Sequence, residues 1–534
     1  MSLLRHVGTI GGLTMVSRIA GMAREMIFSR VLGANAVTDA WFQAFIIPNV
    51  FRRLFAEGAF SAAFVPMFSK RLHGEGGIDS ARSFSDDVLS VFLPVLILLC
   101  ALMMLAMPWV IMALGDGGGD PATFAMEVDF ARIMFPYILL VSLVTLFTGM
   151  LNSVSRFAPG ASFPIILNLI LITSLLLGEY AMSNRGWTIE QVGYGQAWAV
   201  TIGGTVQLAW LYIWTRVEGF RPRLLWPRIT PEVKRLSIIA LPAAIGGGAY
   251  QINTLVQLYF LNQLDSGSIS YMNYADRLNQ LPLGIIGIAL STAILPTLSR
   301  FVGSNNKEGA DRIQSDAIEL AMLLTIPAAV AMAICAVPFI TMLFQGGRFS
   351  LEQAELTGQV LAILVLGLPA YVLVKVLVPN FYARSDTRTP VYAAFISLAV
   401  FVAMNFVVVT DYGVAGIALA SVVGAWINVI YLCIVLARRG YYAVPLALVG
   451  RILRQLVAAA AMGLALWFAR DLLTGWYAAG LFARVGALLA LVTCSAIVYF
   501  GVAFAVGAVD RQRIAALTRR TPAPASAEAG DLAD

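Results

Sequence analysis

Three charges stand in the stretch "SRIAGMAREMIF", residues 17–28, which otherwise reads as a membrane-spanning helix: Arg18, Arg24 and Glu25. Each costs about 2.5 kcal/mol or more to hold at the centre of a bilayer, so such residues belong in a water-filled or protein-lined interior and mark function. Thr14, Ser17, Arg18, Gly21, Arg24 and Glu25 recur at helical spacing and form one polar stripe. A second stripe runs through Asn273, Arg277, Gln280, Gly284, Gly287 and Ser291, with Asp276 beside Arg277. A third helix carries Asp39, Asn49, Arg52, Arg53 and Glu57, its phase disturbed by Pro48. Two readings are open. The charges form structural ion pairs (Arg24 or Arg18 with Glu25, Arg277 with Asp276, Arg53 with Glu57), or they bind a ligand. Arginine outnumbers carboxylate on the first two stripes, and surplus guanidinium in a cavity suits an anion, above all a phosphate gripped by paired hydrogen bonds. The ligand expected is a phosphorylated or pyrophosphorylated amphiphile, and a bound anion in the cavity is expected with it.

Other chemistry has little support. Cys100, Cys335, Cys433 and Cys494 are scattered through apolar runs without metal-ligand spacing, and the two histidines, His6 and His73, fall near helix ends. No nucleophile elbow, zinc-protease motif or phosphate-binding glycine loop occurs, so neither an enzyme nor a cofactor nor a metal site is expected. "GDGGGDP" (115–121) reads as a flexible acidic turn. Arg132, three residues after Asp129, reads as an interfacial ion pair, and Lys375 as a lone structural or snorkelling lysine.

The elements that must position the stripes follow from composition. Of 534 residues 59% are hydrophobic and 12% charged, with a mean hydropathy of +0.81, where soluble domains carry about 25% charged residues. The chain is therefore expected to be an all-α polytopic membrane protein. Fourteen spans are predicted, beginning near residues 7, 37, 87, 126, 159, 192, 237, 269, 314, 352, 390, 413, 453 and 481. With the N-terminus in the cytoplasm, 24 lysines and arginines fall on the cytoplasmic side. Five, Arg30, Arg185, Arg348, Arg470 and Arg484, fall on the other. This bias places both termini in the cytoplasm, and it accounts for the net charge of +6 without a nucleic-acid partner. The first segment lacks a signal-peptide cleavage pattern and reads as an uncleaved span.

An internal repeat organises the spans. "SAAFVPMFS" (61–69) and "STAILPTLS" (291–299) share a Ser/Pro/Ser frame, and Pro136 and Pro369 recur at nearly the same offset. Two parallel six-helix lobes are expected, 1–218 and 219–440, around a central cavity, with two further helices at 441–510 and a partly disordered cytoplasmic tail at 511–534. Pro242 and Gly246, Gly247 and Gly248 in the seventh span suit close packing or a hinge.

The stretches "SRIAGMAREMIFSRVLGANAVTDAWFQAFIIPNVFRRLFAEGAFSAAFVPMFS" and "YADRLNQLPLGIIGIALSTAILPTLS" closely resemble the bacterial lipid II flippase family (MurJ, or MviN) of the multidrug/oligosaccharidyl-lipid/polysaccharide (MOP) exporter superfamily. The resemblance runs to about residue 510. It implies an inner-membrane transporter that moves lipid II, the undecaprenyl-pyrophosphate-linked disaccharide-pentapeptide, to the periplasmic leaflet for peptidoglycan synthesis. Lipid II, membrane lipids and cell-wall synthesis proteins would be its partners. It further implies that Arg18, Arg24, Arg52 and Arg277 line the cavity, with Ser17 on the same stripe, and that Glu25 and Asp39 serve the cavity or its gating. Asp276 and Gln280 are placed with them. The last two helices would take the lipid tail. Some relatives carry an acidic residue where Gln280 stands, and a sodium site in part of the family uses acidic side chains on the seventh and eleventh helices, where this chain offers only Asn253 and Gln257 on the seventh, and Asn405 followed four residues later by Val409 on the eleventh. Sodium coupling is therefore not supported. The alternative substrate is another lipid-linked oligosaccharide, such as an O-antigen unit. A drug exporter fits poorly, because an arginine-rich cavity repels cations.

Overall fold

The structure, a computed structural model, describes residues 3–55, 59–74, 76–115, 120–477 and 480–508. Glu57, most of the 115–121 turn and the C-terminal tail lie outside the described residues, as do the side chains of Arg53 and of 241–250. The first part of the chain forms α1 (Leu3–Leu32), α2 (Ala36–Phe55), α3 (Ala59–Leu72), α4 (Gly77–Ala113), α5 (Pro121–Met134), α6 (Tyr137–Ser153), α7 (Phe157–Arg185) and α8 (Ile189–Val217). The second forms α9 (Pro231–Leu261), α10 (Ser268–Pro282), a π-helical turn (Leu283–Gly287), α11 (Ile288–Gly303), α12 (Lys307–Ile334), α13 (Ala336–Phe344), α14 (Leu351–Leu364), α15 (Leu368–Tyr382) and α16 (Arg388–Arg438). α17 (Leu446–Leu472), α18 (Thr474–Tyr477) and α19 (Leu481–Ala505) complete it. Among the described residues no strand forms; an isolated antiparallel bridge joins Gly346 and Phe349.

The boundaries have local causes. Thr188 with Gln191 and Ser350 with Gln353 make reciprocal capping boxes that open α8 and α14. Asp120 caps α5 ahead of Pro121, and its hydrogen bonds from Thr123 hold the carboxyl below the usual range. Gly413, at φ 52° and ψ −132°, divides α16 into two arms, matching the separate spans expected near 390 and 413. Nine helices among the described residues are long and apolar enough to cross a membrane. That set counts Arg388–Arg438 once and leaves out α1 and α2, which carry charged residues, and also α8 and α9, where spans were expected near 192 and 237.

The chain divides into two compact units. One comprises 1–281, 336–367 and 387–428, the other 282–335, 368–386 and 429–534. In the first, α7 packs on α1 and α8 while α2 packs on α5. An aromatic core of Phe60, Phe64, Phe68, Phe84 and Phe147 joins α3, α4 and α6. In the second, α17 packs on α12 and α19. There Gln314 on α12 bonds the Val376 carbonyl (3.2 Å) and Asn380 (2.9 Å) on α15, and Arg451 pairs with Glu319 at 2.8 Å.

Within the first unit, the end of α1 is sewn to the segment 341–353. Arg348 donates its backbone N–H to the Arg30 carbonyl (2.8 Å) and a guanidinium N–H to that of Val31 (3.2 Å). Arg30 bonds the Leu343 carbonyl (3.1 Å), Ser29 that of Phe344 (3.2 Å), and Gln353 that of Ala34 (2.8 Å). Gly347, at φ +55°, packs so closely that a Cβ would overlap the Arg30 carbonyl oxygen. Gly347→Ala therefore carries both a left-handed backbone cost of about 1–2 kcal/mol and a clash with main chain. The expected result is a lower unfolding temperature in detergent and greater protease sensitivity at 341–353, checked against Gly475→Ala, where a Cβ meets open space.

A candidate anion site on α1, α7 and α10

The polar residues expected on one face of α1 differ in burial. Gly21, Arg24 and Glu25 are buried, Ser17 is half-buried, and Arg18 is exposed. The stripe faces α7, where Asn168 bonds the carbonyls of Ser17 (3.4 Å) and Pro164 (3.1 Å). It also meets α10. A Cβ placed on Gly21 would lie 3.0 Å from Nη2 of Arg277 and 3.7 Å from Nδ2 of Asn168, so the missing side chain makes room for the guanidinium. Three helices thus bring Ser17, Gly21, Arg24, Glu25, Asn168 and Arg277 to one place.

The charges on α1 and α10 are paired only in part. Arg24 and Glu25 form a buried ion pair, so one guanidinium is compensated. Arg277 is not paired with Asp276. Asp276 accepts a hydrogen bond from Gln280, and among the described residues no ion pair or hydrogen bond engages Arg277. The same holds for exposed Arg18. Two guanidinium groups, on α1 and α10, are thus left without a counter-charge among the described residues, and that of Arg277 occupies the room left by the missing side chain of Gly21.

Asp39 does a different task. Its buried carboxylate caps the start of α10, accepting from the backbone N–H of Gly267 (2.6 Å) and of Ser270 (2.8 Å) and from the Ser270 hydroxyl (2.6 Å). Thr38 bonds the same hydroxyl, and Tyr274, wholly buried, donates to the Gly33 carbonyl at 3.0 Å. Asp39 therefore fixes the helix that presents Arg277, and lies ~13 Å of helix rise from it. Arg52, ~20 Å further along α2, donates Nε to Asn49 at 3.1 Å.

One further expectation about charge changes. Arg132 does not pair with Asp129: it donates to the Met104 carbonyl (3.0 Å), while Asp129 accepts from the Tyr194 hydroxyl (3.0 Å). Each found a partner on a neighbouring helix rather than along its own. Lys375 is half-buried, its alkyl chain close against Gly287 in the π turn. Asn168 was missed by sequence reasoning, although a lone amide in the apolar run "PIILNLILI" was a usable signal.

The space at Gly21 makes a graded prediction. Gly21→Ala crowds the flexible tip of Arg277 and otherwise makes ordinary contact with Asn168, so it is expected to keep transport, whereas Gly21→Leu displaces the guanidinium and is expected to lower it at unchanged membrane level. Rescue by both in a depletion strain would show that Arg277 need not sit there.

The profile of the family described as "MurJ: Lipid II flippase MurJ" matches residues 28–488. The chain belongs to this family. A probable lipid II flippase MurJ of Rhizobium meliloti (strain 1021) is 42% identical over 532 residues, covering 99% of this chain and 98% of the relative. The lipid II flippase MurJ of Burkholderia cenocepacia is 33% identical, covering 95% and 98%. Among solved structures, a lipid II flippase MurJ in an inward closed conformation superposes with a TM-score of 0.73 at 24% identity, covering 92% of this chain and 97% of that one. An inward-facing MATE multidrug transporter of the MOP superfamily superposes at 0.61, with 15% identity and 81% and 97% coverage. The chain is a multi-pass membrane protein with the fold shared by these transporters.

Proposed function

We propose that the chain flips lipid II from the cytoplasmic to the periplasmic leaflet of the bacterial inner membrane, for peptidoglycan synthesis. The observation that carries the reading is Arg277, without an ion-pair partner among the described residues, set against Gly21 of the stripe that holds Arg18 and Arg24. Here the guanidinium groups hold the pyrophosphate by paired, charge-assisted hydrogen bonds while the polyprenyl tail stays in lipid. The lobes 1–218 and 219–440 rock between inward and outward access, across fourteen spans with both termini in the cytoplasm. Helices α17 and α19, in the segment 441–510, receive the tail. The seam between the end of α1 and the segment 341–353 is the periplasmic closure, which parts when the head group leaves. A cavity with net positive charge is drawn back toward the cytoplasm by an inside-negative potential, at about 2.3 kcal/mol per charge per 100 mV traversed. No covalent step is needed, and sodium is assigned no part.

The test is complementation in cells depleted of their own lipid II flippase, with lipid II located by leaflet-specific labelling. Rescue, with lipid II reaching the outer leaflet, is the expected result. Failure of the well-expressed wild-type chain would redirect the reading to another lipid-linked glycan.

A further inference from the structure

The connection between α8 and α9 is not a slack loop. Its first end is held where Arg82 donates to the Gly219 carbonyl, Arg156 pairs with Glu218 at 2.8 Å, and Phe220 is buried against Phe68. Its other end enters α9 through the Thr230 cap. Between them the backbone runs along α4: the Arg223 N–H donates to Asp86 (2.8 Å) and the Leu225 N–H to the Ser90 hydroxyl (2.7 Å).

The depth of that track can be read from α4. Asp79, Arg82, Asp86 and Asp87 occupy its first turns, and from Val88 to Ala113 it carries no charge. The change from charged to apolar at 87–88 marks the water–hydrocarbon boundary, and the strap is bonded on both sides of it, at 86 and 90. Non-helical backbone cannot enter hydrocarbon exposed to lipid, so the strap lies in the head-group layer.

Its side chains suit that layer. Leu224 is 63%, Trp226 82% and Ile229 77% exposed, and Arg221, Arg223 and Arg228 are interleaved with them, also exposed. Among the described residues no side-chain hydrogen bond or ion pair engages Arg221 or Arg228, and Arg223, which forms no direct pair, lies near enough to Asp86 to act on its carboxylate electrostatically. Tryptophan favours the interface, where its ring is half wet, and arginine grips phosphate oxygens.

We propose that residues 221–229 form an interfacial strap that binds the phosphate head groups of anionic phospholipids, with Leu224, Trp226 and Ile229 seated among the upper acyl carbons. The strap thereby ties the link between the two predicted six-helix halves to the membrane surface. The inference rests on membrane insertion alone and stands or falls independently of the transported substrate.

The test uses the full chain in phosphatidylcholine bilayers with and without phosphatidylglycerol. The fluorescence difference between wild type and W226F isolates Trp226. Quenching by lipids brominated near the carbonyl, stronger than by lipids brominated at the chain end, and shielding from aqueous acrylamide are expected. In the variant R221Q/R223Q/R228Q, the preference of spin-labelled phosphatidylglycerol over phosphatidylcholine as a quencher of Trp226 should fall about fivefold for each arginine removed. High salt should weaken the wild-type preference in the same direction. Quenching by acrylamide but by neither brominated lipid would overturn the proposal, leaving a water-exposed strap open to a protein partner. A lipid preference unchanged in the triple variant would overturn the anionic-lipid assignment.

Discussion

Arg277→Ala is expected to abolish rescue of a flippase-depleted strain while leaving the protein folded and at normal membrane level. The structural argument is that Arg277 has no ion-pair or hydrogen-bond partner among the described residues, so its removal strands no carboxylate there. What it loses is an anion contact. A bidentate guanidinium–phosphate pair contributes about 3 kcal/mol, or about a hundredfold in affinity. Arg277→Lys keeps the charge but not the fork, and an intermediate effect is expected. Arg24→Ala should behave differently: it leaves Glu25 buried without its counter-charge, so loss of transport should come with about 3–5 kcal/mol of destabilisation. Transport assays on purified protein, paired with thermal unfolding, distinguish these outcomes. Wild-type transport by Arg277→Ala would remove this residue from the substrate site.

Asp39→Ala is the second large effect, and it acts through position. The carboxylate satisfies two backbone donors and one hydroxyl at the start of α10, all buried. Replacing it leaves those donors unsatisfied, at a cost on the order of 3 kcal/mol for a charged, buried cap. The expected result is a lower unfolding temperature together with reduced transport, because the start of α10 sets where Arg277 points. Asp39→Asn retains one acceptor oxygen and should fall between. A variant that kept full stability but lost transport would mean instead that Asp39 acts on the substrate or on a proton.

Much of this was legible before any coordinates. Hydropathy is a local property, so membrane class, the helical make-up and the approximate starts of several helices could be read directly. The polar stripes were equally legible, because a 3.6-residue period places Ser17, Gly21, Arg24 and Glu25 on one face whatever surrounds them. Partnership was not. Spacing alone allowed Arg277 to pair with Asp276 and Arg132 with Asp129, and neither pair forms.

The amino-acid sequence by itself determined that this is a polytopic helical membrane protein of the lipid II flippase family, with surplus arginine on helices that should have been apolar. Only the tertiary structure decided which arginines are spent on ion pairs and which have no counter-charge among the described residues. It alone revealed that Asp39 caps α10 from more than two hundred residues away, and that the α8–α9 link is held along α4. The physical reason is that charge and periodicity are written along the chain. Compensation and burial depend on which groups from distant segments come within about 3 Å, and hydrogen-bond donors do not encode that choice locally.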